Sequence, residues 1–224
     1  MMNYLCCGLI GYFIGSLNPS YFIGKAHGVD IREKGSGNSG ATNVMMLFGK
    51  FSGAFCAVFD ILKAFFAIKI VKAFFPTFLR AFPIVGTAVI LGHLFPFYMN
   101  FRGGKGFAAL AGTYLAFGNE LFLFMLVIAA GILLISNYLC LVPVIGSILL
   151  PFIYLIITKD FLGAGIFLIA TICICQKHKE NLIRISNGTE LRFSYLWKPD
   201  EEMKRIQKNG GVDDETVKER FLMK

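Results

Sequence analysis

Long apolar runs broken by short polar segments dominate the sequence. The first covers residues 4–24, enough to cross a hydrocarbon core of roughly 30 Å with about 20 residues. A second lies within residues 51–75 and carries Asp60, Lys63 and Lys69 inside it. A third covers 81–101, with His93 and Pro96 near its end. The short piece at 107–117 reaches only about 16 Å at 1.5 Å per residue. It is a thin span or a helix that starts partway down a cavity. Residues 121–157 hold no charge and exceed what one straight span needs. Ser136, Asn137 and Pro143 therefore divide them into two spans meeting near Asn137. The last run is 161–176. The pattern predicts an all-α polytopic bundle of about seven spans, or five if the short pieces are re-entrant. It forms one integral membrane domain over 1–195, with a charged tail over 196–224.

Composition agrees: 56% of the 224 residues are hydrophobic, only 16% are charged, and the mean hydropathy is +0.65. Soluble domains carry about 25% charge. The net charge of +8 is uneven, with half of the lysines and arginines in residues 177–224. With the N-terminus outside, the inner loops hold Lys25, Arg32, Lys34, Lys50, Arg102, Lys105 and that basic segment. The outer loops hold only Lys72, Arg80 and Lys159. Positive loops face the cytoplasm, so the chain is expected to be N-out and C-in. No basic residue precedes the first apolar run, so no cleavable signal is expected. The basic groups flank apolar spans and form no separate domain, which argues against nucleic acid as a partner.

Three polar segments carry candidate chemistry, and all three fall on the inner side of this topology. Polar groups at membrane depth are costly and mark function. The first is Gly35-Ser36-Gly37-Asn38-Ser39-Gly40-Ala41-Thr42-Asn43. Its glycines let backbone N–H groups approach an anion, and Ser36, Asn38, Thr42 and Asn43 add side-chain partners. Alone it also reads as an ordinary turn between helices. The second runs from Gly92-His93 to Arg102-Gly103-Gly104-Lys105-Gly106 and opens a helix, a combination suited to phosphate. The third is His178-Lys179-Glu180-Asn181-Leu182-Ile183-Arg184, followed by Gly188-Thr189-Glu190. His178 and Asn181 share a face if the helix continues. Asp60 and Lys63, three apart within a span, are expected to pair.

Cys6, Cys7, Cys56, Cys140, Cys173 and Cys175 lack metal-site spacing, and none lies in a polar segment, so no metal and no thiol nucleophile is expected. A Gly-x-Ser-x-Gly elbow is absent, and neither His93 nor His178 has Asp five positions on. An acyl-transferring enzyme without such a group requires a donor that is already activated.

The combination resembles the bacterial acyl-phosphate-dependent glycerol-3-phosphate acyltransferases. The resemblance rests on Gly15-Ser16, Asp30-Ile31-Arg32 through Asn43, Asp60 with Lys63, Gly92-His93 through Gly106, and His178 through Glu190. It implies about seven transmembrane helices in the bacterial inner membrane with a cytoplasm-facing site. It implies acyl transfer from acyl phosphate to the 1-hydroxyl of glycerol-3-phosphate, giving lysophosphatidic acid and phosphate, without a cofactor. Ser36, His178 and Asn181 would be catalytic. Gly35, Gly37, Asn38, Gly40, Thr42, Asn43, Gly103, Gly104, Lys105 and Gly106 would bind substrate phosphates. Asp60, Lys63, His93 and Glu190 would support them. The proton would leave to His178 or to a substrate phosphate. One departure is Met46, where the family usually has arginine; Arg32 or Lys34 would supply the charge instead. A transporter of a phosphorylated solute and a non-catalytic scaffold are the competing readings. The sequence does not specify an oligomeric state.

Overall fold

The computed structural model describes residues 2–210. It contains ten α-helices and two short 3-10 turns among the described residues. In order these are α1 (Met2–Ser16), α2 (Pro19–Ala26), α3 (Ala41–Phe48), α4 (Lys50–Phe74) and α5 (Ala81–Leu94). They continue with α6 (Phe107–Phe117), α7 (Asn119–Ser136), α8 (Leu141–Thr158), α9 (Phe161–Ser186) and α10 (Pro199–Lys208). The turns are Phe97–Met99 and Phe193–Leu196. Among the described residues, four stretches are long and apolar enough to cross a membrane: Ala81–Met99, Asn119–Ser136, Leu141–Thr158 and Phe161–Ser186.

The expected single span over 4–24 is broken after Ser16. Pro19 lacks an N–H and disfavours a helical residue before it, so Asn18 is extended at φ −128°. The Asn18 side chain then accepts from Tyr21 N–H at 2.9 Å and starts α2 afresh. The expected break near Asn137 is present. Asn137 closes α7 in the left-handed region at φ 60°, and α8 begins four residues later. The last apolar helix, α9, does not stop near residue 176. It runs to Ser186 and carries His178 and Asn181 on one buried face.

Small residues let the central helices approach closely, as packing within lipid requires. α5 is buried on nearly every side. A Cβ at Gly92 of α5 would strike the Tyr12 carbonyl of α1, and one at Gly15 would strike Val89. Gly112 brings α6 onto the Ile61 carbonyl of α4 in the same way. Phe82, Phe117, Tyr154 and Phe167 form an aromatic core linking α5, α6, α8 and α9. α7 buries only Met125 and presents Val127, Leu134 and Ile135 outward, the surface of a lipid-facing helix.

The two ends of the bundle differ. At one end Arg80 pairs with Asp160 at 3.4 Å, which accounts for a basic residue in an expected outer loop. The other end gathers the segments around residues 27–40, 95–106, 137–140 and 187–198, and the polar motifs lie there. The segment expected as a solvated tail is partly folded. α10 buries Glu202 and Ile206, because this acidic-to-basic helix has internal partners described below. Residues 211–224 of that tail lie outside the described residues.

Candidate active site

The first polar segment is a loop held from within. Asn43 is fully buried. Its Nδ2 donates to the carbonyls of Ile31 at 2.7 Å and Lys34 at 3.1 Å, and its Oδ1 accepts from Ser36 N–H at 2.8 Å. Gly35, at φ +59°, packs so tightly that a Cβ would strike Asn43 Oδ1. Asn43, expected to bind phosphate, therefore spends its polar atoms shaping the loop. Asn18 Nδ2 anchors the loop again through the Ser39 carbonyl at 3.1 Å. The Ser36 hydroxyl has no protein partner among the described residues and faces the cavities described below.

The second segment departs from the expected backbone cradle. Gly103 N–H donates to the Leu94 carbonyl at 3.0 Å and Gly104 N–H to the His93 carbonyl at 3.1 Å. These donors secure the loop to the end of α5 and are not available to an anion. A Cβ at Gly104 would collide with His93 Nε2, so this glycine serves packing, contrary to the expectation of close ligand approach. The N–H groups of Lys105 and Gly106 remain unpaired among the described residues, just ahead of α6. Gly106 caps that helix at φ +88°.

Behind the loop lies a buried ionic cluster. Lys63 Nζ is 2.7 Å from Asp60 Oδ1 and 3.1 Å from His93 Nδ1, and it donates to the Leu17 carbonyl at the break after α1. Ammonium only donates, so His93 Nδ1 accepts, and the ring proton sits on Nε2 toward Gly104. The cluster lines neither of the two cavities described below and supports the loop from behind.

The third segment completes a chain of contacts. Lys105 Nζ donates to Asn181 Oδ1 at 2.5 Å, and Asn181 Nδ2 donates to Glu190 Oε1 at 2.5 Å. Glu190 Oε2 accepts from Arg184 Nε at 2.7 Å. Donor chemistry fixes the amide orientation, since lysine only donates and carboxylate only accepts. Asn181 thus links Lys105 to Glu190. Burial, reinforced by Arg184, pushes the Lys105 ammonium below the ordinary lysine range. His178 Nδ1 sits 2.8 Å from the Ile174 carbonyl, which can only accept. A neutral ring therefore carries its proton on Nδ1 and a lone pair on Nε2.

Two adjoining cavities meet at Ser36, Asn38, Lys105 and Arg184. One, of about 320 Å³, adds Gly37, Arg32, Arg102, Gly103, Gln176, Lys177 and Glu180, and is basic because its arginines and lysines outnumber the one carboxylate. The other, of about 430 Å³, adds Gly35, Thr42, His178, Asn181 and Glu190 beside Met45, Met46, Phe107, Leu139 and Pro143, so most of its wall is apolar. Gly40, Asn43, Gly104, Gly106, Asp60, Lys63 and His93 line neither. Met46 therefore contributes apolar wall. Arg32 lines the basic cavity while paired to Asp30 at 2.6 Å, which holds the Asp30 carboxyl below its usual range. Lys34 lines neither cavity. Arg184 closes the third polar segment but was given no role from the sequence, although its place three residues beyond Asn181 on a helix was the available signal. Cys140 also lines the apolar cavity, where burial and nearby Glu190 push its thiol up to about 12, against a thiolate nucleophile.

A protein-family model described as glycerol-3-phosphate acyltransferase matches residues 5–188. A glycerol-3-phosphate acyltransferase of Thermosipho melanesiensis is 38% identical over 195 residues, 87% of this chain and 95% of the relative. One from Staphylococcus haemolyticus is 35% identical over 201 residues, 84% of this chain and 96% of the relative. Among solved structures, an integral membrane glycerol 3-phosphate acyltransferase, PlsY (YgiH), in its glycerol 3-phosphate form superposes with a TM-score of 0.78. It is 31% identical and covers 86% of this chain and 96% of its own. Its lysophosphatidic acid form gives 0.75 at 30% identity and the same coverage.

Proposed function

The chain belongs to the glycerol-3-phosphate acyltransferase family, and on that premise we propose that it acylates the 1-hydroxyl of glycerol-3-phosphate with acyl phosphate as donor. The observation that carries this reading is the shared wall of Ser36, Asn38, Lys105 and Arg184 between a basic and a largely apolar cavity. The reaction joins a small dianion to a long acyl chain, and each cavity suits one of them. Family membership sets the transporter and scaffold readings aside.

Glycerol-3-phosphate takes the basic cavity, its phosphate facing Arg32, Arg102 and Lys177. The donor chain takes the apolar cavity, which brings its carbonyl to the shared wall. Lys105, through Nζ and its own N–H, meets the donor phosphate at the start of α6. The hydroxyl oxygen attacks the carbonyl carbon. A C–O ester bond forms, the bond from carbonyl carbon to phosphate oxygen breaks, and inorganic phosphate leaves. The hydroxyl proton goes to His178 Nε2 or to a phosphate oxygen. Ser36 Oγ positions the hydroxyl or the carbonyl oxygen. A mixed anhydride has a good leaving group, so the step needs no covalent enzyme intermediate.

Purified protein given both substrates is expected to release inorganic phosphate and form lysophosphatidic acid, with neither product when one substrate is omitted. Acylation from a thioester donor but not from acyl phosphate would overturn the donor assignment. Absence of product from either donor would overturn the reaction.

The basic end is proposed to face the cytoplasm of a bacterial inner membrane, with about seven spans and the N-terminus outside. Arg32, Lys105, Arg184 and Arg205 all gather at that end, as the positive-inside rule requires. In a cysteine-free background, Thr77→Cys is expected to react with an impermeant maleimide in intact cells and Lys208→Cys only after lysis. The reverse pattern would invert the topology.

A further inference from the structure

α10 lies beyond the residues 5–188 matched by the family description, yet it packs onto the third polar segment. Arg205 holds the connection. Its guanidinium donates to the Gly188 carbonyl through Nη1, and to the Glu190 carbonyl through Nη2 at 2.6 Å. Glu202, one turn earlier on α10, accepts from Nε at 3.0 Å and Nη2 at 2.9 Å and fixes the guanidinium plane. Asn209 Nδ2 donates to the same Gly188 carbonyl at 2.9 Å.

The segment leading into α10 is tied down independently. Phe193 N–H donates to the Asn137 carbonyl at 2.6 Å. Ser194 N–H donates to Asn137 Oδ1 at 3.0 Å, and Asn137 Nδ2 donates to Ser194 Oγ at 3.0 Å. The left-handed residue that ends α7 is thus the second anchor of the C-terminal segment. Between these anchors Phe193, Leu196, Met203 and Ile206 close one wall of the apolar cavity.

We propose that Arg205 is a positioning residue for acyl transfer, holding the turn at Gly188 and Glu190 so that Glu190 aims Asn181, and Asn181 aims Lys105, at the shared wall of the two cavities. The path is continuous from α10 to the ammonium: Arg205 to the Glu190 backbone, the Glu190 carboxylate to Asn181, and Asn181 to Lys105. Arginine suits this task because its planar fork reaches two carbonyls while Glu202 holds its other edge. Charge on the guanidinium is not presented to substrate: Arg205 lines neither cavity. It acts through the turn it holds.

The inference rests on the proposed reaction, and the full-length enzyme tests the two separately. Wild-type protein without acyl transfer to glycerol-3-phosphate refutes the reaction; active wild type makes the variants informative. Arg205→Ala is expected to insert normally and lose about tenfold in kcat/KM, with the loss chiefly in kcat, because substrate still enters the basic cavity. Arg205→Lys keeps one donor and is expected to recover part of that loss. Lys198→Ala removes an exposed side chain of the adjoining segment, paired to Glu201, and is expected to match wild type. Wild-type kinetics for Arg205→Ala would overturn the proposal. So would an Arg205→Ala enzyme that fails to insert while Arg205→Lys has full activity, since the contact would then serve stability alone. A loss confined to KM would place Arg205 in substrate binding and also refute it.

Discussion

Lys105→Ala is expected to lower kcat/KM roughly ten- to over a hundred-fold. A hydrogen bond to a charged group is worth about 1.5–3 kcal/mol, and each decade of rate corresponds to about 1.4 kcal/mol. Among the described residues Lys105 is the one lysine that lines both cavities, and it is oriented by Asn181 at 2.5 Å. The same residue sets an alkaline limit. Burial and Arg184 lower its pKa, so the charged form is lost as pH rises sooner than for an ordinary lysine near about 10.4. The fall in kcat/KM with pH should begin below that value, and Lys105→Arg should move it upward. Wild-type kinetics for Lys105→Ala, or an unchanged alkaline limb in Lys105→Arg, would leave the lysine as a topology signal alone.

Lys63→Ala should cost stability more than chemistry. It leaves the buried Asp60 carboxyl without its lysine, with only His93 Nδ1 nearby at 3.5 Å, and it leaves the Leu17 carbonyl without a donor at the helix break. Breaking one side of a buried pair costs about 3–5 kcal/mol. For a chain of this size that corresponds to a drop of about 6–20 °C in Tm, on scales measured for soluble domains. The double variant Asp60→Leu with Lys63→Met removes both charges and should recover much of the loss, because an apolar pair of similar volume avoids the desolvation cost. Equal melting of Lys63→Ala and wild type in detergent would show that the pair contributes little. Since His93 stands between this cluster and Gly104, the single variant should also raise KM in whatever enzyme survives.

Several features of the site were readable in the residues alone. Asp60 and Lys63 are three apart in an apolar helix, where isolated charges are costly, so their pairing followed from spacing. His178 and Asn181 depended only on continuation of α9, and no proline or glycine interrupts residues 166–186. The division of residues 121–157 followed from length. The break at Asn18 and Pro19 was equally local and could have been read from the proline. Other assignments failed for a physical reason. Gly103 and Gly104 have the composition of an anion cradle, but a glycine loop presents its N–H groups to whichever acceptor is nearest. Here those acceptors are the carbonyls of His93 and Leu94.

The sequence by itself determined the elements that depend on neighbours a few residues away: the apolar helices, their polar interruptions, the one-sided distribution of basic loops and the i,i+3 pairs. It also carried the residues on which the family resemblance rests, and the family match bears that resemblance out. Only the tertiary structure decided which polar atoms are spent internally and which face a cavity. Asn43 and Ser36 are seven residues apart in one motif, yet one holds the loop and the other lines both cavities. Only the tertiary structure joined Lys105 to Asn181, 76 residues away, and brought Arg205 onto the turn at Gly188 and Glu190. Helix periodicity acts over one or two turns. Contacts between distant segments depend on helix ends and packing distances, which no local pattern encodes.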